Sequence, residues 1–224
     1  QGEIVAVADS GIALGCAFDD PFQPVAQEVV DPAAPPTSPL TNPAHRKVQA
    51  YQALAVTNFT DEPDTGAGAW HGTAVCGVVA ADAPPLAEQD AQPPDALPAA
   101  VNANDFDGHA PAARLVVQDL HVSGPDYVLP ADLAGLVTAG WRAGARTWNA
   151  SFTTSGGGAY DHAARELDVA TFDHPDLVVT CAAGNVPAEC TSRPAPKERS
   201  SPSAIWLRAA LPVQRIRTRL MPRA

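Results

Sequence analysis

Apolar residues in this chain gather in short unbroken runs, and several runs end on a polar residue or a glycine. The first is Ile4-Val5-Ala6-Val7-Ala8, closed by Asp9-Ser10-Gly11. So short a run predicts a strand buried on both faces, with polar groups presented at its carboxyl end. Ala113 to Leu120, Ala145 to Phe152 and Leu177 to Ala182, although interrupted by polar residues, read as three further strands. Between them the spacing turns helical. Ala74 to Ala81, opened by Trp70-His71-Gly72-Thr73, reads as a buried helix. Ala131 to Arg142 sets Leu133, Leu136, Val137 and Trp141 on one face. Tyr160 to Phe172 sets Tyr160, Ala163, Ala164 and Leu167 on one stripe. Residues 13–45 read as loop, 46–56 as either strand or helix, and 82–108 as a long surface insertion.

Strands alternating with helices predict an α/β domain of three layers, a mostly parallel sheet with helices on both faces. In such sheets the active groups stand just past the carboxyl ends of the strands. Asp9, the Ser151 region and Asn185 all stand at such ends.

Composition narrows the class. With 46% hydrophobic and 17% charged residues, the 224-residue chain is globular and fits one domain. The 23 prolines are about twice the usual share and cluster at 21–43, 84–98 and 194–202, which marks those stretches as loops. A net charge of −11 argues against nucleic acid and anionic membrane as partners. The charge is uneven: residues 1–198 hold 8 Lys and Arg against 25 Asp and Glu, whereas residues 199–224 hold six arginines and no acid. No apolar run reaches the roughly 18–20 residues of a membrane span. The opening at Gln1, without a charged-then-apolar leader, reads as a processed chain or a fragment. The four cysteines lack CxxC spacing, so no zinc site is expected. Cys181 and Cys190 either close a short loop in an oxidising compartment or remain thiols.

Three residues stand out chemically, each with a plainer alternative. An Asp at a strand end, such as Asp9, is often only a cap or turn former. A lone His is usually structural, but His71 enters a helix through Gly72-Thr73, which suits a ring aimed outward. Asn185 after Ala182-Ala183-Gly184 is either a turn residue or an amide donor to an oxyanion.

Taken together and in order, these runs resemble the subtilisin-like serine peptidases. Val5-Ala6-Val7-Ala8-Asp9-Ser10-Gly11-Ile12 is similar to the family's aspartate motif. His71-Gly72-Thr73-Ala74-Val75-Cys76-Gly77 is similar to its histidine motif, and Ala182-Ala183-Gly184-Asn185 to its oxyanion motif. Gly108 to Asp119 resembles the strand after the family's G-x-A-P turn, and Gly144 to Phe152 its substrate-lining strand. The order Asp, His, then Ser is that of subtilisin. The resemblance implies a subtilisin-like fold and a serine endopeptidase that works through an Asp-His-Ser triad. Asp9 would orient the imidazole, His71 would act as general base and later acid, and Asn185 would donate to the oxyanion. Ser151, Phe152 and Thr153 would line one wall of the pocket for the side chain before the scissile bond, with Ala182, Ala183 and Gly184 opposite. The substrate would be an extended polypeptide added to edge strands near His121–Gly124 and Ala150–Thr153. The resemblance also implies a secreted monomer without an organic cofactor. Calcium binding would fall to Asp19, Asp20, Asp105 and Asp107, whose spacing makes no recognisable site.

The chain departs from the family after Asn185. The nucleophile's Gly-Thr-Ser-x-Ala run is absent: none of Ser192, Ser200, Ser201 or Ser203 follows Gly-Thr. The expectation is therefore a partial peptidase domain over 1–204, ending before its serine, followed by an unrelated arginine-rich stretch over 205–224. Such a chain should be inactive, and marginally stable for want of the strands that would cover its sheet. The alternative is a pseudo-peptidase that binds extended peptides without cutting them. Ala74 stands where the family often has a second histidine, and His109 where a small apolar residue is usual. Other doubly wound enzymes fit worse. Gly11 stands where a dehalogenase-type phosphatase needs a second acid, and the dinucleotide fingerprint G-x-G-x-x-G is missing.

Overall fold

A computed structural model describes residues 2–15, 17–54, 59, 70–82, 107–123, 126–127, 129–152 and 160–182. The apolar runs form the strands expected of them. These are β1 (Ile4–Asp9), β4 (Arg114–Asp119), β7 (Thr147–Ala150) and β8 (Val178–Cys181). Two more strands, β2 (Gln27–Val30) and β3 (Val48–Leu54), complete a six-stranded sheet in the order β2-β3-β4-β1-β7-β8. Every neighbouring pair is parallel. A short antiparallel pair, β5 (His121–Ser123) with β6 (Asp126–Tyr127), follows the end of β4.

Three helices pack on the sheet: α1 (His71–Ala80), α2 (Leu133–Arg142) and α3 (His162–Asp173). Both α2 and α3 start on an aspartate that caps the first turn. Asp132 accepts from the Gly135 amide at 2.7 Å, and Asp161 from the Ala164 amide at 2.9 Å. Helix α2 stops at Gly144, whose φ of +104° is a conformation that glycine adopts without strain.

Alternation along the strands sends side chains to two separate cores. Val7, Tyr51, Leu115 and Val117 pack with Cys76 and Ala80 of α1. Ala6, Ala8, Val116 and Trp148 pack with Leu136 and Val137 of α2 and Ala170 of α3. The three-layer expectation therefore holds, with α1 on one face and α2 and α3 on the other. The second core contains a polar thread. Trp148 Nε1 donates to Gln118 Oε1 (2.6 Å), Gln118 Nε2 to Gln52 Oε1 (2.8 Å), and Gln52 Nε2 to Glu28 Oε1 (2.9 Å). Both glutamines of the thread, Gln118 and Gln52, are thus paired, as burial demands.

Some expectations need correction. Residues 13–45 are not all loop, since β2 lies within them, and 46–56 resolves to strand β3. Helix α1 is not buried all round: Gly72, Cys76 and Ala80 face inward, but Val78 is 60% exposed. The stripe drawn through Tyr160 misplaces that residue, which precedes α3 and is exposed; Ala164 and Ala170 carry the buried face. The inserted segment 83–106 and the stretch 205–224 lie outside the described residues. Among the described residues, no helix is long and apolar enough to cross a membrane.

Candidate active site

Asp9 is the last residue of central strand β1, and His71 is the first residue of α1. The strand brings one and the helix the other to the carboxyl edge of the sheet. His71 Nδ1 lies 2.7 Å from Asp9 Oδ1. The Asp9 side chain is 2% exposed, whereas that of His71 is 41% exposed. A buried acid therefore holds one nitrogen of a ring that remains open to solvent. Asp9 Oδ1 also accepts the Ser10 amide at 2.8 Å, so the carboxylate is fixed from its own turn as well as by the ring.

The helix that carries His71 begins in an unusual way. Its N-cap is Trp70, which supplies no side-chain cap and has φ 60° and ψ 20°, the left-handed region. A non-glycine residue there costs roughly 1–2 kcal/mol. The missing cap comes from elsewhere in the chain: Ser10 Oγ accepts the Gly72 amide at 2.8 Å. Thr73 Oγ1 returns the contact by accepting the Ala13 amide at 2.9 Å. The fit is close enough that a Cβ on Gly72 would stand 2.2 Å from the Gly11 carbonyl oxygen. The Asp-Ser-Gly and His-Gly-Thr runs are thus two halves of one joint. Ser10 and Gly72 hold it shut, so the Asp9–His71 distance does not depend on long side chains.

The other expected site residues are spread along the same edge. Ser151 follows β7, and its Oγ accepts from Asn149 Nδ2 at 2.9 Å, while Asn149 Oδ1 accepts from Thr180 Oγ1 at 2.9 Å. Phe152 packs against the core beneath α2 and α3. The Ala182 amide bonds the Ala150 carbonyl at 2.9 Å, extending the β7–β8 pairing by one step. Thr153, Ala183, Gly184 and Asn185 lie outside the described residues.

Of the acids considered for calcium, Asp105 is also outside them. Asp20 has both oxygens engaged: Oδ1 takes the amides of Phe22 (3.0 Å) and Gln23 (3.2 Å), and Oδ2 that of Arg46 (2.8 Å). Burial works against its ionisation, but those amides and nearby His45 outweigh it and hold the carboxyl below the usual range. Such a carboxylate is a turn former and fits a cation poorly. Among the described residues, no three His, Cys, Asp or Glu side chains gather as a metal site would require.

Sequence reasoning missed Tyr51 and Asp119, which meet beside this joint. Asp119 is 1% exposed and ends β4, in register with Asp9. The one sequence signal was Gly11, since a glycine two residues after the acid that ends a buried strand marks a place where something must approach closely.

The sequence matches the model of the subtilase family over residues 1–218, a span that takes in part of the arginine-rich stretch. The chain belongs to the subtilase family. A similar protein is the serine protease/ABC transporter B family protein tagD of Dictyostelium discoideum. It is 29% identical over 192 residues, which cover 83% of this chain but 9% of that protein. Among solved structures, an alanine mutant of the protease domain of PatA is 19% identical with a TM-score of 0.45, over 83% of this chain and 52% of that one. A chain of the periplasmic assembly of the ESX-5 inner membrane complex is 18% identical with a TM-score of 0.45, over 82% of this chain and 41% of that one. This subtilase chain therefore spans only a small part of its curated relative and about half of the PatA domain. Membership places it among peptidases of the serine class.

Proposed function

We propose that the chain contributes the acid–base half of a serine endopeptidase site. The observation that carries this reading is the 2.7 Å contact between buried Asp9 and half-exposed His71 at the carboxyl edge of a parallel sheet. With Nδ1 held by a carboxylate, the ring is fixed in one tautomer, and Nε2 is left to take a proton from a hydroxyl and return it to a leaving amine. Asn185 would donate to the oxyanion, and Ser151 and Phe152 with Thr153 would face Ala182, Ala183 and Gly184 across the pocket for an extended peptide. Export from the cell is proposed on family membership alone.

No serine among residues 186–224 follows Gly-Thr, so these 224 residues hold the base but no nucleophile in the family's setting. In subtilisin, loss of the serine costs on the order of 10⁶ in turnover. The 224 residues should therefore neither hydrolyse a peptide anilide nor take up a fluorophosphonate probe. Stoichiometric labelling with a burst of product would overturn the assignment of roles. Calorimetric titration with an uncleaved peptide then reports whether the pocket still binds substrate.

A further inference from the structure

We infer that Asp119 and Tyr51 are positioning residues for the Asp9–His71 pair, acting through the turn that follows Asp9; the inference rests on the site reading above. Tyr51 lies in the middle of β3 and is fully buried. Its hydroxyl donates to Asp119 Oδ2 at 3.1 Å and accepts the Ile12 amide at 3.2 Å. Asp119 Oδ1 accepts the His121 amide at 2.9 Å, so both of its oxygens are engaged. The Leu120 amide, one residue further, donates to the Asp9 carbonyl at 2.8 Å. The end of β4 is therefore tied to the Asp9 turn twice, by the Leu120 amide at Asp9 and through Tyr51 at Ile12.

Gly11 makes the coupling tight. Its φ is +96°, and a Cβ there would lie 2.4 Å from Tyr51 Oη and 2.7 Å from Asp119 Oδ2. The backbone of the turn thus rests directly on this pair, while its other side, the Gly11 carbonyl, rests against the missing Cβ of Gly72. From Asp119 to the first turn of α1 there is an unbroken chain of bonds and close contacts: Asp119, Tyr51, Gly11–Ile12, Gly72, His71. Side chains that sit this deep and touch no substrate can still set the donor–acceptor geometry of a site, where a displacement near 1 Å is costly.

The test reads the His71–Asp9 bond itself and needs no nucleophile. In the full 224-residue chain, labelled with ¹⁵N-histidine, the proton in that short charged bond should give a far-downfield resonance on Nδ1. Tyr51→Phe keeps the ring and removes only the hydroxyl; Asp119→Asn removes one acceptor. Both should lose or broaden the resonance, with His71 shifting to a mixture of tautomers, while the thermal transition stays cooperative. Tyr160→Phe should leave it intact, because it breaks a similar Tyr–Asp bond of 2.9 Å (to Asp168) on the exposed side of the molecule. An unchanged resonance in folded Tyr51→Phe overturns the inference. So does a Tyr51→Phe chain that fails to fold, since a positioning hydroxyl leaves core packing in place. Absence of the resonance in the wild-type chain would instead refute the Asp9–His71 pair, and with it the reading on which the inference rests.

Discussion

The two ends of the sheet treat histidine in opposite ways. At the carboxyl end, His71 meets a carboxylate, and Nδ1 must donate. At the amino end, His45 Nδ1 faces two amides, those of Lys47 at 3.1 Å and Val48 at 2.9 Å, and must accept. The surrounding charges follow the same split. Buried Asp9 and Asp119 sit at the carboxyl end, whereas buried Lys47 and Arg114 sit at the amino end. Lys47 Nζ donates to the carbonyls of Pro111 (2.6 Å) and Ala113 (2.8 Å), and Arg114 Nη1 to that of Pro43 (2.7 Å). The helices run against the strands. Their amide-rich N-termini therefore stand at the carboxyl edge and their carbonyl-rich C-termini at the amino edge, which favours anions at one end and cations at the other. The lesson is that the carboxyl edge fixes its imidazole through a carboxylate, whereas the amino edge fixes one through backbone amides.

The largest effect should come from opening the joint at the anionic end. Gly72→Ala forces a Cβ to within 2.2 Å of a backbone oxygen, with no flexible side chain to give way. A loss of about 3 kcal/mol is expected in urea denaturation. Gly77, one and a half turns along the same helix, has open space around its missing Cβ. Gly77→Ala should instead stabilise by about 0.5–1 kcal/mol, as expected for a helix-interior glycine. Equal costs at both sites would mean that the joint is not close-packed.

The amino end is sharpened through Lys47. Burial is the main cause that pulls its pKa from 10.5 to about 8, only partly countered by Asp82 and Asp107. A base whose folded pKa lies below its unfolded value binds fewer protons when folded, so stability rises with pH between the two values. Wild-type stability should therefore climb from about pH 8 toward pH 10.5. Lys47→Met leaves two carbonyls unpaired but also removes a buried charge. Its cost should be about 1 kcal/mol at pH 7 and should grow as the pH rises. Urea midpoints at pH 7, 9 and 10.5 check this, and a constant gap would contradict it.

How far each end was legible in the sequence follows from what each is made of. Strands β1, β4 and β8 were legible through the apolar runs Ile4–Ala8, Leu115–Val117 and Leu177–Val179, and β7, interrupted by Thr147 and Asn149, through its resemblance to the family's substrate-lining strand. Strand β3 was not, because Gln49 and Gln52 interrupt it; they are nonetheless buried, Gln49 Nε2 donating to the Ala143 carbonyl and Gln52 pairing with Gln118 and Glu28. Strand β2 was missed because it is an edge strand in a proline-rich stretch, with Val29 about half exposed. At the site, Asp9 and His71 were readable from their local settings. The Tyr51–Asp119 bond was not, since its partners lie 68 residues apart and meet only through the β3–β4 register. At the amino end, the roles of Lys47 and His45 depend on carbonyls and amides, which every residue has and no motif records.

The smallest expected effect separates the two histidines by pH. Burial holds His45 below the usual histidine value of 6.5, with Arg46 acting in the same direction and Asp20 and Asp19 opposing. Protonation of Nδ1 would also turn its two accepted hydrogen bonds into repulsive contacts. Because the folded value is the lower one, the unfolded chain takes up protons first, and stability is lost as the pH falls below about 6.5. Thermal midpoints should fall between pH 7.5 and pH 5.5 in the wild-type chain. His45→Gln keeps an acceptor for the amides but cannot titrate, so it should flatten that slope while lowering the midpoint at pH 7.5 only slightly. His71→Gln, at the opposite end, should leave the contribution of His45 to the slope in place. If His71→Gln flattened it instead, the acid-sensitive imidazole would belong to the carboxyl edge, and the division of roles between the two ends would be reversed.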